Sequence, residues 1–115
     1  MIVALLAAAA AAAPSGTAVG IGLSEWEVAI YRPKVTVGKV RFNITNLGED
    51  PHDFAVRTAG GKILKQAPEL TPGGQLTTPF KFKRKGTYTL VCTLTGHEEL
   101  GMVSTIRVTR APKRR

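Results

Sequence analysis

The sequence predicts an all-β domain, a Greek-key β-sandwich or barrel. Three observations carry this: apolar residues alternate at period two, turn residues recur at short intervals, and hardly any stretch has a helical period. A chain of 115 residues has room for one modest core and no second domain. Its 43% hydrophobic and 21% charged residues exclude a disordered or collagen-like chain. One cysteine excludes an internal disulfide, a four-cysteine zinc ribbon and any two-cysteine redox or dinuclear centre.

Met1 to Ser24 carry no charge, and Met1 to Ala13 form an unbroken apolar run. That length fits the apolar region of a signal peptide better than a membrane span, which needs about 20 apolar residues. Residues 1–18 are therefore read as a signal peptide or an N-terminal anchor. Gly16-Thr17-Ala18 is the favoured cleavage site, because Pro14 follows Ala11-Ala12-Ala13 directly. Export would place the protein in the periplasm, the cell envelope or the extracellular space.

Residues 19–110 form the expected domain. Val40, Phe42 and Ile44 alternate with Lys39, Arg41 and Asn43, and Leu76, Thr78, Phe80 and Phe82 alternate with Lys81 and Lys83, as half-buried strands require. Turn signals fall at Arg32-Pro33, Gly38, Asn46 to Pro51, Gly60-Gly61, Pro72-Gly73-Gly74 and Lys85-Gly86. Ile63 to Leu70 fits the strand pattern least well and is read as a candidate for a short helical turn limited by Pro68. Residues 111–115 are a basic tail. The 16 Lys and Arg against 8 Asp and Glu give a net charge of +8, which points to acidic redox partners or an anionic membrane surface. The run Lys81 to Lys85 reads as a solvated strand end and not a nucleic-acid patch, since no aromatic stacking platform accompanies it. Trp26 is read as a core or edge aromatic rather than an electron relay.

The chemistry is concentrated between Cys92 and Met102. Past the apolar run this stretch holds the only cysteine, the only methionine, and His97, one of two histidines; the other is His52. A thiolate, two imidazoles and a thioether make a soft donor set acceptable to both oxidation states of copper. Strand parity puts His52 in phase with Phe54 and Val56, Cys92 with Tyr88 and Leu90, and Met102 with Ile106 and Val108. All three then point from the core side of their strands, while His97 sits in a Gly96-bounded loop that can close over them. Each residue alone has an ordinary explanation, as a buried thiol, a core methionine or a solvated loop histidine. A shared metal accounts for their coincidence in one in-phase set.

These residues resemble the cupredoxin, or type 1 blue copper, family, plastocyanin- and azurin-like with a rusticyanin-type Cys-x4-His-x4-Met loop. The resemblance covers about residues 19–109, and Asn43 to Phe54 is similar to the family's first-histidine region. It implies one copper ion cycling between Cu(II) and Cu(I), with His52, Cys92 and His97 as a trigonal plane and Met102 as a long axial contact. It implies that the backbone N–H groups of Asp53 and Leu94 face the cysteine sulfur, and that Leu94, Leu100 and Gly101 form an apolar docking rim around His97, the electron exit. Two positions depart from the pattern. Thr95 replaces a frequent Pro before the Gly-His step, which loosens the loop, and Asp53 replaces Asn or Ser, placing a carboxylate that favours the oxidised state.

The function expected is that of an exported, monomeric one-electron carrier, not an enzyme, with redox proteins as partners and no nucleic acid. The alternatives are a copper carrier or chaperone with the same ligands, a thiol enzyme in which His97 activates Cys92, and a metal-free Ig-like structural module.

Overall fold

The alternation around Phe42 is realised as β4 (Gly38–Asn46), whose inward residues Val40, Phe42 and Ile44 are buried while Lys39 and Asn43 are exposed. A computed structural model of the chain describes residues 16–111. Within them β1 (Thr17–Ser24), β2 (Glu27–Ile30), β4 and β7 (Gln75–Phe82) make one sheet in the order β2-β1-β4-β7. The second sheet is β3-β9-β8-β5-β6, from β3 (Lys34–Thr36), β5 (His52–Thr58), β6 (Ile63–Leu70), β8 (Gly86–Val91) and β9 (Val103–Thr109). One short helix, α1 (His97–Leu100), interrupts the path from β8 to β9. β1 runs parallel to β4 and β3 parallel to β9, while the other neighbours are antiparallel.

The inner faces of the two sheets meet in one core. Phe42 of the first sheet lies 5.1 Å, centroid to centroid, from Phe54 of the second, and 6.2 Å from Phe82 at the end of β7. All three rings are fully buried, and each burial contributes roughly 2–3 kcal/mol.

Ile63 to Leu70 is strand and not a helical turn. It is the edge of its sheet, so Pro68 costs no ladder bond on the solvent side. His52 pairs with Leu70 and Phe54 with Ala67, so β6 carries one extra residue in this interval, where Pro68 lies. β1 begins at Thr17, paired with Val40, two residues ahead of the expected domain start. The apolar run and most of the proposed leader lie outside the described residues, as does all but the first residue of the basic tail. No helix among the described residues is long and apolar enough to cross a membrane.

The registers fix the two ends of the sandwich. Ser24 beside Glu27, Leu23 beside Asn46, His52 beside Leu70 and Val91 beside Val103 define one end; Thr17 beside Val40, Gly38 beside Phe82, Thr58 beside Tyr88 and Thr36 beside Thr109 define the other. The side chains singled out by the sequence lie at the first.

Candidate metal centre

His52 opens β5, and Asn46 aims the loop that leads into it. The buried Asn46 side chain donates from Nδ2 to the carbonyls of Asp50 and Leu70 and accepts from the Gly48 N–H at Oδ1, all at 2.9 Å. This Asx-type turn gives the loop backbone partners it could not find in a sheet. Cys92 follows β8 directly. From there the chain closes on itself: the Cys92 N–H donates to the Met102 carbonyl at 3.1 Å, the Met102 N–H to the His97 carbonyl at 3.1 Å, and the His97 N–H to the Leu94 carbonyl at 3.0 Å. Met102 is thereby tied through its backbone to two candidate ligands, and its side chain is wholly buried in the same core cluster as Cys92. Gly96 enters α1 at φ 82°, a left-handed conformation that favours glycine. Gly101 leaves it at φ 126° with the Trp26 carbonyl so close that a Cβ would stand 2.9 Å from its oxygen.

His52, Cys92 and His97 come together, with one ligand atom from each lying within 4.8 Å of the others. The Nδ1 atoms of His52 and His97 are 3.2 Å apart, and the Cys92 Sγ lies 3.6 Å from His97 Nδ1. Ligand atoms held at about 2.1–2.3 Å from one ion in a trigonal or tetrahedral arrangement are separated by roughly 3.5 Å, so the set fits a single metal ion. His52 and Cys92 are fully buried and His97 is half-buried.

Burial pushes the Cys92 thiol above its ordinary range, the backbone N–H groups of Asp53 and Leu94 pull it down, and the Asp53 carboxylate adds to the rise. The Asp53 side chain is itself buried and receives the Thr93 N–H at 2.6 Å, the Thr93 hydroxyl, and Gln66 Nε2 at 3.2 Å. It thus ties the residue after Cys92 to β5, a role the sequence did not show. Of the expected rim, Leu100 and Gly101 are exposed and Leu94 is half-buried against the core.

The turn between β1 and β2 supplies two residues that sequence reasoning missed. Trp26 is not a core aromatic: it stands in the turn leading into the edge strand β2, where its ring meets His97 edge-on at 4.9 Å and His52 at 6.3 Å, with 37% of the residue exposed. Glu25 Oε1 receives the N–H groups of Asp50 at 2.6 Å and Glu49 at 2.8 Å, and lies 3.2 Å from His52 Nε2. The Asp50 N–H is the main reason the Glu25 carboxyl sits below the usual range, with Glu49 and His52 adding to it. On the other flank Arg57 makes a two-pronged ion pair with Glu98 at 3.0 and 2.6 Å, lowering the Glu98 carboxyl and raising the guanidinium. No sequence signal marked Glu25 or Trp26, because the fold alone brings their turn to the ligand end.

A β-sandwich with a His-Cys-His cluster at one end is the cupredoxin architecture, and comparison with solved structures bears this out for the fold. The chain superposes on auracyanin B with a TM-score of 0.72 at 19% identity, covering 81% of this chain and 88% of that one. Auracyanin A, a "blue" copper protein from the green thermophilic photosynthetic bacterium Chloroflexus aurantiacus, matches at TM-score 0.71 and 18% identity, covering 83% and 100%. A Cu-containing nitrite reductase from Thermus scotoductus matches at TM-score 0.60 and 15% identity; 87% of this chain covers 28% of that longer one. No family model and no curated protein sequence matches the chain. The chain has the cupredoxin fold.

Proposed function

We propose that this chain binds one copper ion through His52 Nδ1, Cys92 Sγ and His97 Nδ1, with Met102 as a weak axial partner, and works as an exported one-electron carrier. The observation that carries the reading is the convergence of one nitrogen from each imidazole and the thiol sulfur within 4.8 Å at the end of the sandwich, with the two Nδ1 atoms 3.2 Å apart. A His2Cys set with a nearby methionine is the donor chemistry of blue-copper electron-transfer sites. Bound copper would supply a Cu(II)/Cu(I) couple, which takes up and releases one electron.

The protein's contribution is to hold its donors still. Sheet registers place His52 and Cys92, the closed backbone of residues 92–102 places His97 and Met102, and Glu25 holds the far side of the His52 ring. Ligands fixed in this way move little between oxidation states, as fast electron exchange requires. His97 and the half-exposed Trp26 ring against it are the surface nearest the donors, and the apolar Leu100 beside them suits brief docking. Full burial of His52, Cys92 and Met102 favours an electron carrier over a copper chaperone, whose metal must pass between proteins. The same burial disfavours a nucleophilic thiol.

The test is the visible spectrum of the purified chain with Cu(II). An intense thiolate charge-transfer band is expected, lost in Cys92→Ser with the strands still folded. A colourless wild type, or a Cys92→Ser protein that keeps the band, would overturn the assignment.

A further inference from the structure

The net charge of +8 conceals a division along the strand axis. The connections that meet at the metal end, residues 24–27, 46–52, 70–75 and 91–103, contain no Lys or Arg and hold Glu25, Glu27, Glu49, Asp50, Glu98 and Glu99. The other two acids, Asp53 and Glu69, adjoin those connections, so all 8 lie at or beside this end. The 16 cations lie elsewhere in the chain, and Arg57 reaches back to this end through its pair with Glu98. At the opposite end Lys39, Lys62, Lys83, Arg84, Lys85 and Arg110 are all exposed. Among the described residues the ion pairs are His52–Glu25 and Arg57–Glu98, which leaves these six outside any salt bridge. A groove at the same end sets Leu64 and Phe80 among Lys62, Lys81, Lys83 and Arg84, an apolar floor with a cationic rim.

Both termini of the described chain also lie there. Gly16 packs against the Lys39 carbonyl, and Thr109 pairs with Thr36. Ahead of Gly16 stand 15 uncharged residues that include the apolar run, and after Ala111 the sequence continues Pro-Lys-Arg-Arg.

We propose that this basic end is a docking surface for an anionic lipid bilayer, which holds the metal end facing away from the membrane. A bilayer suits the surface in three respects: its negative headgroups match a face of cations without acids, its boundary with the acyl region accepts Leu64 and Phe80, and it would receive an apolar N-terminal segment entering at the same face. Strands of seven to nine residues put the two ends roughly 25 Å apart, beyond the Debye length at physiological salt. The basic end can therefore engage lipid while the acidic metal end meets a partner of its own.

The experiment uses the full chain with phosphatidylcholine vesicles, with and without phosphatidylglycerol, measured by co-sedimentation across a salt series. It reads the same with or without copper, so its failure is independent of the copper assignment. Binding should require phosphatidylglycerol and weaken with salt. A Lys83→Gln/Arg84→Gln/Lys85→Gln variant should bind on the order of a hundredfold more weakly, at about fivefold per charge. Trp26, the only tryptophan, reports orientation: its emission and its quenching by aqueous acrylamide should not change on binding. Equal binding to both kinds of vesicle would assign adhesion to the apolar segment alone. Binding to soluble polyglutamate but not to vesicles would assign the surface to an acidic protein. Protection of Trp26 would mean that the metal end faces the lipid. Any of these outcomes, or an unchanged triple variant, overturns the proposal.

Discussion

Glu25→Ala should weaken copper binding by about 10- to 100-fold, the usual effect of removing a carboxylate that orients a histidine ligand. One oxygen, Oε1, takes three contacts: the N–H groups of Glu49 and Asp50, and His52 Nε2. The two amides are exposed, so water can replace the carboxylate there. His52 is wholly buried, and a loose water behind its ring cannot hold the ring plane as the tethered carboxylate does. With the Nε2–H given to Glu25, Nδ1 keeps its lone pair on the side of His97 and Cys92, so the carboxylate fixes both tautomer and ring plane. The loss should therefore fall in the upper half of the range. Glu25→Gln keeps an acceptor oxygen and should lose much less affinity, while both variants should raise the reduction potential by removing a negative charge. Competition against a chelator of known copper affinity measures the first effect, and equilibrium redox titration the second. If Glu25→Ala binds copper as tightly as wild type, or Gln and Ala are indistinguishable in affinity, Glu25 does not position His52.

Met102→Leu should keep the copper and the colour but raise the reduction potential, because an axial thioether is a weak ligand; loss of copper would make Met102 a primary ligand or a core prop. Asp53→Asn should raise the potential and, by exchanging charge-assisted bonds from Thr93 and Gln66 for neutral ones, cost about 1–2 kcal/mol in urea unfolding of the metal-free chain; an unchanged midpoint would show that those bonds contribute nothing net. The Glu98 carboxyl lies below its unfolded value of 4.5 because Arg57 holds it, so its contribution is complete above pH 4.5 and is lost as pH falls through the lower folded value. The pair is partly exposed, which limits the effect to about 0.5 kcal/mol, measured as the difference in acid unfolding between wild type and Glu98→Gln.

What the sequence made legible was whatever repeats at short range. Val40, Phe42 and Ile44 announce β4 because one face of that strand is buried along its length. The Cys92 to Met102 spacing announces most of the ligand set because it lies in one connection. Ile63 to Leu70 was obscure because, on an edge strand, Ala67 alone is fully buried, Ile63 and Leu64 stay exposed, and a proline sits at the bulge. Glu25 and Trp26 could not be found by spacing, since they reach His52 and His97 only after β1 pairs parallel with β4. The division of charge was hidden for a related reason. The acids are scattered along the chain and gather only when alternate connections are stacked at one end.

The closed segment from Cys92 to Met102 also bears on how the protein would acquire the proposed copper ion. Three of the four candidate donors lie within it, between strands that pair as an antiparallel hairpin from Gly86 with Val108 to Val91 with Val103. Hairpins form in about 1–10 μs, whereas joining β3 to β9 or β1 to β4 must first close long stretches of chain. A nascent or unfolded chain can therefore present a thiol, an imidazole and a thioether together before the sandwich exists, and copper should bind that state as well. A ligand held by both states stabilises the native one only by the ratio of its two affinities. His52, delivered last by the long-range pairings, and the burial it completes account for that ratio. Copper should accordingly raise the melting temperature by less than its affinity for the finished site would imply, and its capture can begin before folding ends.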